Sequence, residues 1–265
     1  MDQCGNYFIE DLVRKGRGGF GEVFEVYVHN LKKTHKRKYA RKYFSPSPEN
    51  NNTTIKEIAD LRQRFLVEIK TQYTLNQINY DAIAPIVLFE TEGEHPYFVM
   101  ELAECSLADA IQAGMNEYEK ASAIIQILNG LYTIHDYNYV HRDLNPRNIL
   151  KYANNTFKIT DFGLVKDMDD IRAEVKTKFP PNGMGTDGYR APEIRDLGKF
   201  SAQSDIYAIG KIISDVYGEQ NHKVRDIIAK CQSYFPEQRY ANVSELSQVF
   251  AEAVKEELSQ GVVYG

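Results

Sequence analysis

Cysteine is scarce in this chain. Cys4, Cys105 and Cys231 are too few and too scattered for a disulfide framework, and no CxxC pair exists. A reducing, cytoplasmic compartment is the expectation. Long apolar runs are missing too: no stretch of 18 apolar residues exists, which excludes a transmembrane helix. The opening segment MDQCGNYFIEDLVRKGRGG has no charged region followed by an apolar one, so no signal peptide is expected. An excess of positive charge is absent as well. Lys and Arg number 32 against 37 Asp and Glu, a net charge of −5, which argues against a global nucleic-acid binder. No internal repeat or low-complexity tail is visible, and collagen-like and coiled-coil classes fail on composition.

What is present suits one large domain or two small lobes. A chain of 265 residues, 43% hydrophobic, buries roughly 70–75% of its unfolded surface without a disulfide or a metal. YFIEDLV and EVFEVYV alternate as two strands around a glycine loop, and KYARKYF resumes a strand after the polar tip LKKTHK, giving a hairpin. Residues 31–42 hold seven Lys or Arg and no acid. A nuclear-localisation or polyanion patch fits that run, but a solvated hairpin with charged edges is favoured, because the net charge is negative. TIKEIADLRQRFLVEIKTQYTLN places Ile55, Ile58, Leu61, Phe65, Leu66 and Ile69 at helical spacings. APIVLFE and PYFVMEL predict two more strands. From Ser106 the pattern turns helical: SLADAIQA capped by Ser106, then EYEKASAIIQILNGLYTIHDY, short strands at NILKY and TFKIT, and helices at SDIYAIGKIISDVYG, KVRDIIAKCQSYF and VSELSQVFAEAVKEEL. An α+β fold follows, with a small β-rich lobe over 1–100 carrying one main helix, a hinge at 101–105 and a larger helical lobe over 106–265.

Five motifs carry chemistry. Gly16-Arg17-Gly18-Gly19-Phe20-Gly21-Glu22-Val23 lies between two strands, and its glycines let backbone amides approach phosphates. It is no Rossmann loop, because a strand follows it, and no Walker loop, because no Lys-Ser/Thr follows. Lys42 in Tyr39-Ala40-Arg41-Lys42 can hold phosphates; it shares a strand face with Ala40, and Arg41 points the other way. The plain alternative for this lysine is an edge-strand surface charge. Glu68, amid Phe65, Leu66, Val67 and Ile69, is an acid able to pair with a partly buried lysine, with Glu57 the competing candidate. His141-Arg142-Asp143-Leu144-Asn145-Pro146-Arg147-Asn148 is far more specific. Asp143 can orient a hydroxyl nucleophile and accept its proton, and Asn148 can ligate a hard divalent cation. Asp161-Phe162-Gly163 adds a charged oxygen for the metal.

Taken in order, these motifs resemble those of eukaryotic-type protein kinases over essentially the whole chain. Ala191-Pro192-Glu193 within GTDGYRAPE, the helix start Ser204-Asp205-Ile206-Tyr207-Ala208-Ile209-Gly210, and Arg239 in PEQRY complete eight signatures in sequence. The resemblance implies a bilobal kinase fold and transfer of a phosphate from ATP, with Mg²⁺, to Ser or Thr hydroxyls of a protein substrate, the chain itself included. It implies that Gly16–Gly21 and Val23 cover ATP, that Ala40 lines its site, and that Lys42 holds phosphates and pairs with Glu68. Met100 falls at the gatekeeper position, with Glu101 and Ala103 offering backbone to adenine. Asp143 would be the catalytic base, Asn148 and Asp161 the metal ligands, and Thr186 the support of Asp143. Glu193 would pair with Arg239. Arg142 resembles an arginine that often receives an activation-loop phosphate, and Thr177 is the loop candidate for it, with an ordinary exposed threonine as the plain alternative.

The chain departs from the family pattern in places. Asn145 stands where Ser/Thr kinases carry a lysine that contacts the transferred phosphate. The expectation is a slow enzyme in which neither Lys166 nor Arg147 replaces that charge. Asp205 and Arg239 are only 34 residues apart, which leaves little room for the family's αG region. Gln72 sits where an apolar residue is usual, with Tyr73 able to pack in its stead. Residues 259–265 are too short for a flanking regulatory domain. Two other readings stay open: a pseudokinase scaffold, against which Lys42, Asp143 and Asp161 speak, and a kinase-fold phosphotransferase for small molecules, against which Glu193 and Arg239 speak.

Overall fold

Alternating apolar residues at Val26, Val28, Tyr97 and Val99 give the first lobe a sheet with one face to bury. The computed structural model describes residues 2–17, 21–46, 55–167 and 185–260. They form two units: residues 1–80 with 84–103, and residues 81–83 with 104–265.

The first unit is a six-stranded antiparallel sheet in the order β1-β2-β3-β4-β6-β5. Its strands are β1 (Asp2–Cys4), β2 (Tyr7–Arg17), β3 (Gly21–Asn30), β4 (Lys36–Phe44), β5 (Ile86–Glu90) and β6 (Tyr97–Glu101). Helix α1 (Ile55–Ile78) packs on one face through a chain of aromatic rings, Phe44 to Phe65 to Phe98, each step 5.7 Å. Phe65 is fully buried; removing such a ring costs about 3–5 kcal/mol. The opposite face buries Ile9, Val26, Val28, Tyr97 and Val99. Two register shifts in β2, between Asp11 and Val13 and between Arg14 and Gly16, bend its glycine-rich end.

The basic stretch splits in two. Lys32, Lys33, Lys36, Arg37 and Lys38 are exposed, as the solvated hairpin requires. Glu10 takes His29, Lys33 and Lys36, which hold its carboxyl down at about 2, and Glu25 takes Lys15 and Lys38. Arg41 and Lys42 are buried instead, which overturns the reading of this strand as a charged edge. β4 is an interior strand, and from Ala40 to Lys42 its side chains are covered on both faces. Arg41 lies between the Tyr43 and Tyr97 rings, 4.0 and 3.8 Å from their centroids, and donates to Asp2 at 2.6 Å.

The second unit is mostly helical. Helix α2 (Leu107–Ala113) starts on a capping box of Ser106 and Asp109, and α3 (Glu117–Asp136) on one of Asn116 and Glu119. α3 buries Ile124, Ile127, Leu128, Leu131 and Ile134. A small sheet of β10 (Thr156–Ile159), β9 (Ile149–Tyr152) and β7 (Cys105–Ser106) packs beside it, and β8 (Tyr139–Val140) pairs with β11 (Lys166–Asp167). Asp81–Ile83, assigned to the first lobe from the sequence, goes with this unit: Ile159 N–H donates to Ala82 O at 2.8 Å and Ile83 pairs with Ile159. Helices α4 (Pro192–Leu197), α5 (Ala202–Tyr217), α6 (Arg225–Cys231), α7 (Val243–Ala253) and α8 (Lys255–Gln260) follow. Only residues 218–224 join α5 to α6, with no helix between them, as the spacing from Asp205 to Arg239 requires. The last predicted helix is broken at the buried Val254, and the turn there brings Glu257 to Lys223. α5 and α6 approach so closely at Gly210 that a Cβ there would lie 2.4 Å from Cys231 Cβ. Among the described residues no helix is long and apolar enough to cross a membrane.

Candidate active site

In the β-rich unit the lysine chosen from the sequence finds the acid chosen from the sequence. Lys42 Nζ donates to Glu68 Oε1 at 2.6 Å, with both side chains buried. Cross-strand pairing sets the lysine's place: Lys42 lies opposite Val23 on β3 and Phe98 on β6. Glu57, in the first turn of α1, is exposed, so the choice falls to Glu68. The buried stripe of α1 carries Glu68, Gln72 and Asn76 at four-residue spacing. Gln72 is fully buried and donates to Ala84 O at 2.9 Å. Tyr73 does not take its place; it is 40% exposed and packs against Phe89. Gly16 and Arg17 end β2, Gly21 opens β3, and Gly18, Gly19 and Phe20 lie outside the described residues. Gly21 has a structural reason for lacking a side chain, since a Cβ would lie 2.0 Å from Tyr43 O. Ala40 pairs with Met100 across β4 and β6, and Glu101 closes β6 with its N–H on Pro85 O and its carboxylate on the Tyr80 hydroxyl. Ala103 is half-buried.

In the helical unit the loop 141–148 is wired to itself and to Thr186. Asp143 Oδ1 accepts from Thr186 N–H and Thr186 Oγ1, each at 2.8 Å. Asp143 Oδ2 accepts from Asn148 Nδ2 at 3.1 Å, and the same amide donates to Asp143 O at 2.8 Å. With both amide hydrogens on Asp143, Asn148 has its carbonyl Oδ1 left as a hard oxygen donor. Burial pushes the Asp143 carboxyl up, the Thr186 hydroxyl opposes that rise, and the charge of Asp161 adds to it. A carboxylate raised in this way is a better proton acceptor.

The loop is held by an acid whose role the sequence left unread. Asp205, at the start of α5, is buried and accepts from His141 N–H at 2.8 Å and Arg142 N–H at 3.0 Å. Its second helper is His135, whose Nε2 lies 2.9 Å from Oδ2. Burial would raise the Asp205 carboxyl, but the His135 hydrogen bond, the nearby His135 and His141 rings and the Arg142 N–H outweigh it, and it stays below its ordinary value. Asp205 thereby pins Arg142 at φ +69°, a conformation that strains a non-glycine residue. Asp161 shares the same left-handed region at φ +64°. The sequence marked Asp205 as part of a helix-start signature of the family but gave it no role. His141 is buried, with Nε2 on Thr160 O at 3.1 Å and an edge contact at 5.1 Å to Phe162, which is a buried packing residue.

Glu193 and Arg239 form a fork. Arg239 Nη1 and Nη2 donate to the two Glu193 oxygens at 2.8 and 2.7 Å, and Ser204 Oγ adds a third bond at 2.8 Å. Burial raises the Glu193 carboxyl, and the Arg239 and Ser204 bonds outweigh it, leaving the group below its ordinary value. Thr177 lies outside the described residues. The oxygens of Asn148 and Asp161 suit Mg²⁺, which takes one or two protein ligands and completes its shell with phosphates and water. Among the described residues there is no cluster of three or more His, Cys, Asp or Glu that would form an all-protein cage.

A family model described as the protein kinase domain matches residues 9–252. Cyclin-dependent kinase F-3 of Oryza sativa subsp. japonica is 31% identical over 57% of this chain and 34% of its own length. A leucine-rich repeat receptor-like serine/threonine/tyrosine-protein kinase of Arabidopsis thaliana is 31% identical over 75% of this chain and 32% of its own. A mitogen-activated protein kinase of Cytospora mali is 37% identical over 46% of this chain and 30% of its own. The chain thus spans about a third of the length of these relatives.

Proposed function

The chain belongs to the protein kinase family, and from that premise we propose that it transfers the γ-phosphate of ATP to serine and threonine hydroxyls of proteins, itself among them, in a Mg²⁺-dependent reaction. The observation that carries this reading is the fixed carboxylate of Asp143. Its Oδ1 takes both donors of Thr186, so Oδ2, with one amide hydrogen on it, is the oxygen left for a substrate hydroxyl. That oxygen takes the hydroxyl proton as the new O–P bond forms and the bond to ADP breaks.

Lys42, steered by Glu68, supplies positive charge to the phosphates. The main chain at Glu101 and Ala103 and the side chains of Val23, Ala40 and Met100 serve adenine, and Gly16–Gly21 covers the nucleotide. Asn148 and Asp161 hold Mg²⁺, which when bound neutralises charge on the phosphates. Thr186 and Pro146 support a Ser/Thr acceptor over Tyr, since the resemblance ties both to that class. Glu193 and Arg239 favour a protein acceptor over a small molecule, because relatives that act on small molecules usually lack this pair.

Labelled ATP with Mg²⁺ tests the proposal on the purified protein beside Asp143→Ala. Label on Ser or Thr that disappears in the variant supports it, and mapping the label tests Thr177. Label on Tyr overturns the acceptor class. Bound ATP without transfer to protein overturns the activity in favour of a scaffold or of a small-molecule acceptor.

A further inference from the structure

Asn145 invites reading as a loss, an amide where the family carries a cation. The structure gives it work of its own. Asn145 is 3% exposed and makes four bonds. Its Nδ2 donates to Asp143 O at 3.0 Å, to Thr186 Oγ1 at 3.0 Å and, at the longer distance of 3.4 Å, to Asp143 Oδ1. Its Oδ1 accepts from Arg147 N–H at 2.9 Å, capping the 3₁₀ turn Pro146–Asn148. The amide orientation is set by its neighbours: an N–H faces its oxygen, and acceptors face its nitrogen. A lysine carries donors alone and could not make the Arg147 bond.

The Thr186 hydroxyl has a single proton. Because Asn145 donates to Oγ1, that proton is directed to Asp143 Oδ1, 2.8 Å away. A relay results, from amide to hydroxyl to carboxylate.

We propose that Asn145 is a positioning residue for phosphoryl transfer, orienting the Thr186 hydroxyl so that Asp143 Oδ1 is saturated and Oδ2 alone receives the substrate proton. The inference rests on the kinase reading above. It also recasts the departure from the family pattern: the position exchanges a charge for a hydrogen-bond relay.

Asn145→Asp separates the relay from the cap. The carboxylate keeps the acceptor for Arg147 N–H and nearly the same volume, but it cannot donate to Thr186 and it places a like charge beside Asp143. The expected result is a fall in kcat of about 10–100-fold, an unchanged KM for ATP, and an acid limb of the kcat–pH profile moved to higher pH, since lost donors and added negative charge both raise the Asp143 carboxyl. The thermal midpoint reports whether the cap survives. Thr186→Val removes the middle of the relay and is expected to move the acid limb the same way, and the double variant to move it little further. Asn145→Gln, which keeps both donor and acceptor, is expected to recover part of the rate.

An Asn145→Asp enzyme with native kcat and acid limb overturns the proposal. So does an Asn145→Lys enzyme faster than the native one, which would mark the position as a missing charge. Additive effects of Asn145→Asp and Thr186→Val also overturn it. Native protein and Asp143→Ala run alongside: no Asp143-dependent transfer in the native protein removes the kinase reading and this inference with it, whereas intact transfer that ignores Asn145 removes this inference alone.

Discussion

A buried lysine–glutamate pair in the β-rich unit and a buried arginine–glutamate pair in the helical unit are built differently. Lys42 Nζ meets Glu68 Oε1 at 2.6 Å, at the end of two flexible stems. Arg239 grips Glu193 with two parallel bonds and also donates to the carbonyls of Gln203, Ser233 and Tyr234. The first pair joins a compact ammonium to one carboxylate oxygen. The second is saturated, and its partners lie on three separate segments of the helical unit. A planar guanidinium suits that fixed, many-sided role, and a compact ammonium suits one that must serve a ligand as well. Burial alone does not set the character of an ion pair; the shape of the cation and the segments it ties together do.

Breaking the first pair should show most in the rate. Lys42→Met matches the stem and removes the charge, and a drop in phosphoryl transfer of about 10²–10³-fold is expected, with a thermal midpoint closer to native than that of Arg239→Ala. Circular dichroism melts beside the labelled-ATP assay check both halves of the statement. Breaking the second should show most in stability. Arg239→Ala takes two donors from a buried carboxylate and one from each of three carbonyls, and a loss of about 3–5 kcal/mol is expected in urea unfolding. Arg239→Lys, which keeps the charge and loses the fork, should cost about 1–2 kcal/mol. A larger loss from Lys42→Met than from Arg239→Ala would invert the comparison.

Acid separates activity from stability within the helical unit. Glu193 and Asp205 have carboxyls held below their ordinary values when folded. Their stabilisation is present above the ordinary carboxylate range and is lost as pH falls through it, from about pH 5 downward. Asp143 is shifted the other way, so its ionised form is lost at higher pH. On stepwise acidification, transfer should fall before the melting temperature does. The reverse order would mean that Asp143 is not the group that limits the rate in acid.

The candidate site residues were legible because phosphate handling, the chemistry proposed above, ties residue types to fixed local spacing. Lys42 beside Ala40 on one strand face, Asp143 five residues before Asn148, and Glu193 after Pro192 are short-range patterns that survive without knowledge of the fold. What escaped was support at long range. Asn145 bonds Thr186 from 41 positions away, and Asp205 holds the His141 backbone from 64 away. Neither distance leaves a period in the sequence. Strand β1 has three residues, too few to alternate visibly, yet its Asp2 is the partner of the buried Arg41. The same stretch of basic residues thus held exposed hairpin charges and two buried cations, and strand pairing alone separates them.

The approach of α5 and α6 at Gly210 has an evolutionary consequence. With Cys231 Cβ where a methyl group would have to go, neither position can drift alone toward a larger residue. In a set of related sequences the two should vary as a pair, small against large. Gly210→Ala, poorly tolerated by itself, should be rescued by Cys231→Gly, making this joint a register of shared ancestry more durable than the exposed hairpin at 31–38.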